Sequence, residues 1–410
     1  MNGIAVDPEV AVYQTGGVSN GNRRRKYSSL DTFRGVACLM VVIYHSTLYA
    51  VSHPDLVRER MSISNPSSMA ISLAQRFWIG VPIFFVISGY CISASAESTW
   101  RQRRSTLHYF FKRVRRIYPP YWTFLALGIA GVLLVERLFG EGFVTGGALA
   151  DPRSLSPWQW LGNLTLTESW RYHVIGPARM YLFGPIWTLC YEEQFYVVVG
   201  VMLIVAGRRF FLLSSVISAA CVALLFSGRA VHLDGFFLDG NWLLFAGGIL
   251  VYWRAFYART TWQVTTACAV FLIVAVYSAR DVTALFSGAS ATFDRGLLVA
   301  AAFGLMITLL YPRDAAVSDI RMLAPIKFCG IMCYSLYLLH WPIVKTISRV
   351  LWDAGVQSDT ATVLITVPIC TACSVAAAAV FHIVVERRFM SSIKPLTAAK
   401  PAIVASVAAR

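Results

Sequence analysis

Ten apolar runs of near membrane-spanning length recur along the chain, at roughly 30–51, 71–93, 118–137, 185–206, 210–227, 241–257, 262–279, 296–311, 328–350 and 361–384. Short polar segments, many of them basic, separate them. A helix crosses a bilayer core with about 20 apolar residues, within a range of about 17–25. Lipid cannot satisfy an open backbone, so each run is expected to be helical. The pattern predicts an all-α, polytopic transmembrane helix bundle with about ten spans. Runs 241–257 and 296–311 are short and are expected to be tilted or re-entrant. Residues 1–29 are polar and contain Gly, Ser and Asn, which predicts a disordered N-terminal tail. Residues 30–389 form the transmembrane domain, and 390–410 a C-terminal tail. We find no internal repeat of 20–50 residues.

Composition agrees with the pattern. Hydrophobic residues make up 57% and charged residues 14% of the 410, where soluble domains carry about 25% charged residues. The mean hydropathy is +0.60. The net charge of +15 would suggest nucleic acid only on a soluble basic face. Here the basic residues lie between apolar runs, so no nucleic-acid partner is expected and the bilayer is the partner surface. With the N-terminus inside, 23 Lys and Arg fall in inner segments and 10 in outer ones. That excess places both termini in the cytoplasm. "RRRKYS" at 23–28 anchors the first helix on that side, since no A-x-A cleavage site follows. The nine cysteines read as small buried hydrophobes. Cys370 and Cys373 have CxxC spacing but lie in a wholly apolar run, and no metal site is expected.

Polar residues inside the apolar runs are the candidates for chemistry, because ionisable groups at membrane depth face the bundle interior or a wet cavity. "LDTFRGVACLMVVIYHS", residues 30–46, carries Asp31, Arg34 and His45. Eleven residues at about 100° each is three turns plus about 20°, so Arg34 and His45 share one face, about 16 Å apart along the axis. Arg34 either snorkels to inner headgroups or lines a functional path. His45 is either a satisfied core histidine or a proton carrier. In "GVPIFFVISGYCIS", Ser88 and Gly89 allow close helix approach. "HYFFKRVRRIYPPYW" sets Arg113 and Arg116 at i, i+3, followed by Tyr118, Pro119 and Pro120. These arginines serve either topology and anionic lipid or a cytosolic phosphate-rich donor. "GPIWTLCYEEQFYVV" places Trp187, Glu192 and Glu193 in another span. "CYSLYLLHWPIVK" does the same for His340 and Lys345. The aromatic outer segment 138–184 is either an interfacial belt or a sugar-stacking platform.

Taken in order, these stretches resemble membrane acyltransferase family 3, the bacterial O-acetyltransferases of surface polysaccharides. Leu30-Asp31, Arg34-Gly35 and His45 match its L-D-x-x-R-G…H pattern. Gly80 to Gly89 match G-V-x-x-F-F-V-x-S-G, and Arg113 with Arg116 match R-x-x-R before an aromatic-proline cluster. Trp187 to Tyr196 match W-S-L-x-x-E-x-x-F-Y with Thr188 for serine. Ser335 to Pro342 match S-L-Y-L-x-H-x-P. "VVERRF" resembles the I-E-x-P-F ending, with Arg388 where proline is usual. The likeness spans about 30–389, and the chain looks like the transmembrane-only type.

The resemblance implies an integral inner-membrane O-acyltransferase. Its donor is a cytosolic acyl-CoA, acetyl-CoA above all, with no permanently bound cofactor. Its acceptor is a hydroxyl of an extracytoplasmic polysaccharide or lipid-linked oligosaccharide, and polysaccharide synthesis and export proteins are further partners. His45 would be general base or transient acyl carrier, with Glu192 orienting it and Arg34 holding donor or charge. Arg113, Arg116, Tyr118, Trp187, Ser88, Asp31 and His340 would contact substrate. The rival reading is a secondary transporter or flippase that couples through buried Arg, His and Glu.

Overall fold

The computed structural model describes residues 27–51, 65–146, 149–227, 233–279 and 293–390. The expected tails fall outside these residues, apart from 27–29 and 390. Residues 27–29 correct the tail boundary. The Tyr27 hydroxyl donates to the Ile307 carbonyl at 2.6 Å, and the amides of Ser28 and Ser29 donate to the Asp314 carboxylate at 2.5 and 2.9 Å. That carboxylate also meets the positive end of the first helix, where negative charge is stabilising.

Among the described residues the chain is helical, with only isolated bridges at Gly146–Leu149 and Leu149–Phe183. The helices that build the site are α1 (Leu30–Val51), α2 (Gly80–Arg101), α3 (Thr106–Phe139), α4 (Trp187–Ala206), α5 (Asn241–Phe256), α6 (Ala324–Ile331) and α7 (Cys333–Asp353). Among the described residues, seven helices are long and apolar enough to cross a membrane, or up to eight if α6 and α7 count as one broken span. Helix α1 and the 16-residue α5 are not in that count. All ten apolar runs are nonetheless helical.

Two boundaries differ from the sequence pattern. Helix α3 begins at Thr106, twelve residues before the apolar run, because the Ser105 hydroxyl accepts from the His108 amide at 3.3 Å and caps it. Arg113 and Arg116 therefore sit on helix, and Pro119 and Pro120 lie inside it. The run at 328–350 is not one helix, since α6 and α7 meet at 74° around Met332.

Close backbone approach sets the crossings. A side chain on Gly35 would overlap the Ile326 carbonyl of α6, and one on Gly89 would overlap the Phe245 carbonyl of α5. Small residues allow such contacts in membranes, where no hydrophobic force pulls helices together. Aromatic rings fill the centre, with Phe195 of α4 stacked on Phe245 at 4.4 Å between centroids. In the segment 138–184, Glu168 and Arg171 form a buried ion pair at 2.7 Å. Asn163 there is fully buried, donating to the Gln159 and Met180 carbonyls and accepting from the Leu182 amide.

Candidate active site

Helices α1, α2, α3, α4 and α7 enclose a cavity with an empty volume of about 930 Å³, counted to its open mouth. Its cationic end carries Arg34, Arg113 and Arg116. Arg34 pairs with Asp31 at 2.7 Å and donates to the Cys91 thiol at 2.8 Å. Arg113 is buried, its guanidinium 4.9 Å from the Tyr196 ring centroid and 5.6 Å from that of Tyr109. Against these cations stands Glu192, which accepts from Ser88 at 2.9 Å and from the Tyr196 hydroxyl. A lumen with three arginines and one carboxylate on its wall favours an anionic ligand. Guanidinium groups bind phosphate oxygens bidentately.

The lining on α7 runs through Cys333, Tyr334 and Tyr337 and stops there. At this end the Tyr337 hydroxyl donates to the Pro185 carbonyl at 2.7 Å and lies 2.5 Å from the Thr188 hydroxyl. One turn further on stands His340, its ring centroid 5.6 Å from that of Tyr337. His340 is fully buried, and its Nε2 lies 2.9 Å from Nδ1 of His45. His45 is a half-buried residue, its ring stacked on His340 at 5.0 Å and edge-on to Trp341 at 4.7 Å.

The structure thus brings Arg34, Arg113, Arg116, Ser88 and Glu192 to one cavity, with Asp31 joined through Arg34. It departs from the expected grouping at four residues. Glu192 does not orient His45, because its partners are Ser88 and Tyr196, and the ring on His45 is that of His340. Trp187 packs into the core against Tyr191 and Phe85, at 5.8 and 6.3 Å. Tyr118 donates to the Thr165 carbonyl at 2.9 Å. Neither lines the cavity. His340 likewise touches His45 rather than the lumen.

Sequence reasoning missed Thr188, Tyr196 and Tyr337 as wall residues. The first two sit four residues either side of Glu192, one helical face. Tyr337 sits one turn before His340, so helical spacing would have found all three. It also missed a buried trio at the end of the chain's last span, where Glu386 accepts from Ser335 at 2.5 Å and meets His382 at 2.8 Å. No group of metal-ligating side chains occurs among the described residues.

These features define a helical membrane protein with a cationic internal cavity ending beside a histidine pair. The family described as an acyltransferase domain matches residues 27–383, and the chain belongs to it. The chain is similar to the "Putative membrane-bound transacylase BcsY" of Komagataeibacter xylinus, 26% identical over 329 residues, covering 78% of this chain and 73% of that protein. It is also similar to the peptidoglycan O-acetyltransferase OatA of Listeria monocytogenes, 23% identical over 363 residues. That match covers 80% of this chain but 51% of OatA, so the chain spans about half of that relative's length. No solved structure is a significant match. The protein is a multi-pass membrane acyltransferase.

Proposed function

We propose that this protein transfers an acetyl or other short acyl group from cytosolic acyl-CoA to a hydroxyl of a polysaccharide or lipid-linked oligosaccharide on the outer side of the cytoplasmic membrane. In this reading the chain makes about ten spans with both termini cytoplasmic, and it works beside polysaccharide synthesis and export proteins. One observation carries the reading: the cavity wall holds three arginines and also Tyr337, whose ring neighbours His340, the partner of His45. The arginines hold the phosphates of the donor near the inner face. The acyl-pantetheine arm lies along the lumen past Ser88 and Glu192. Parting of Tyr337 from Thr188 and Pro185 lets the thioester reach His45.

There His45 takes the proton of the acceptor hydroxyl as its oxygen bonds the thioester carbon. The C–S bond then breaks, and the same proton passes to the departing CoA thiolate. General-base help of this kind supplies about 10²–10⁴-fold. The names of BcsY and OatA support acyl transfer, and the acetyl group and the glycan acceptor come from OatA's name.

Everted membrane vesicles expose the cytosolic face to added [14C]acetyl-CoA. The account predicts label in vesicle-enclosed or lipid-linked carbohydrate without proton flux. Proton flux without labelled carbohydrate would favour the transporter reading and overturn this one.

A further inference from the structure

The histidine pair fixes which nitrogen of His45 is basic. Nδ1 of His340 lies 2.7 Å from the Tyr337 carbonyl and 3.2 Å from the Leu336 carbonyl. A carbonyl oxygen only accepts, so Nδ1 of His340 must carry a hydrogen. In the neutral ring Nε2 of His340 is then bare, and it is this atom that lies 2.9 Å from Nδ1 of His45. Nδ1 of His45 therefore donates, and its Nε2 holds the free lone pair. Among the described residues that Nε2 has no hydrogen-bond partner, and His45 is half-buried while His340 is fully buried. Trp341, edge-on to His45, holds the ring against rotation.

We propose that His340 is a positioning residue: anchored by the backbone of its own helix, it locks His45 in the tautomer whose Nε2 faces the acceptor hydroxyl. The arrangement is a relay from carbonyl to histidine to histidine, in which the second ring takes the orienting part that a carboxylate plays in other acid–base sites. As the acceptor proton moves onto Nε2 of His45, the resulting imidazolium keeps its Nδ1–H bonded to the neutral His340, which is not itself protonated. The proton then leaves on the CoA thiolate and the relay is restored. This inference rests on His45 being the general base of the proposed reaction.

Three variants of the full chain in everted vesicles separate the two claims, with [14C]acetyl-CoA as donor and the cell's own surface glycan as acceptor. His340→Leu fills the site but cannot accept the His45 Nδ1–H. His340→Gln places a carbonyl oxygen near the lost Nε2. His45→Ala removes the base. The inference expects His340→Leu to lose about 10²-fold in kcat with KM for acetyl-CoA unchanged, because His340 does not line the donor cavity. His340→Gln should recover at least tenfold of that loss. Equal losses in His340→Leu and His340→Gln at wild-type abundance, or a loss expressed in KM, would overturn the positioning role while leaving the base intact. Wild-type rates in His45→Ala would overturn the base itself. If His340→Leu fails to accumulate, 15N spectra of wild-type protein labelled at histidine decide the matter. A protonated Nδ1 with a bare Nε2 on His45 is expected, and the opposite tautomer overturns the inference.

Discussion

Tyr337→Phe removes one hydroxyl from the wall of the arginine-lined cavity beside the histidine pair. That hydroxyl makes two hydrogen bonds, to the Pro185 carbonyl at 2.7 Å and with Thr188 at 2.5 Å. An intramolecular hydrogen bond contributes about 0.5–1.5 kcal/mol net, so the pair holds the wall closed by about 1–3 kcal/mol. The substitution strands no buried acceptor, because the Pro185 carbonyl keeps the Thr188 hydroxyl at 3.2 Å. The phenyl ring still packs against Phe84 and His340, and the Tyr337 carbonyl that holds His340 belongs to the backbone. If acyl arms must part this contact to reach His45, the variant lowers the cost of opening without touching the chemistry. At about 1.4 kcal/mol per tenfold, kcat/KM for acetyl-CoA should rise by about 5-fold to 150-fold, up to the point where another step limits. Initial rates in everted vesicles at subsaturating [14C]acetyl-CoA measure it. A fall in rate at equal abundance would refute the reasoning and make the hydroxyl a participant in the reaction rather than a latch.

Other outcomes follow from the same geometry. Arg113→Ala or Arg116→Ala should raise KM for acetyl-CoA by about 10-fold to 150-fold, the equivalent of about 1.5–3 kcal/mol for a charged hydrogen bond. High salt should weaken wild-type donor binding in the same direction. Glu168→Ala should destabilise the protein by about 3–5 kcal/mol, because it strands the guanidinium of Arg171, which is 3% exposed. Thermal unfolding in detergent reads that loss. Gly89→Leu should abolish accumulation of the folded protein, since the added side chain overlaps the backbone of α5, and gel filtration in detergent reports it.

Much of this molecule is legible in the order of its residues, and the rest is hidden for definable reasons. The apolar runs announce the helices because lipid allows little else. The 3.6-residue repeat relates Arg34 and His45 along α1, and the structure sets Arg34 against Cys91 of α2 and His45 against His340 of α7. Cys38 lies between them in sequence, its thiol 3.7 Å from the Cys333 carbonyl of α7. Helical spacing also prepares Arg113 and Arg116 as neighbours. Partnership across the sequence is another matter. His45 and His340 are 295 positions apart, and no periodicity relates two helices that meet only after folding. A carboxylate was the natural expectation for orienting a histidine. Glu192 instead lies beside two hydroxyls, because its place on α4 faces the lumen rather than α1. The bend at Met332 was hidden for a similar reason, since the apolar run passes through it unbroken while the backbone does not.

The central claim is that His45 performs the transfer for a donor held in the arginine-lined cavity. The most direct measurement compares the acyl content of surface polysaccharide among wild-type, deletion and His45→Ala strains, with membrane abundance of the variant checked by immunoblot. The account predicts that His45→Ala, inserted at wild-type level, matches the deletion. Normal acylation in that strain would contradict it.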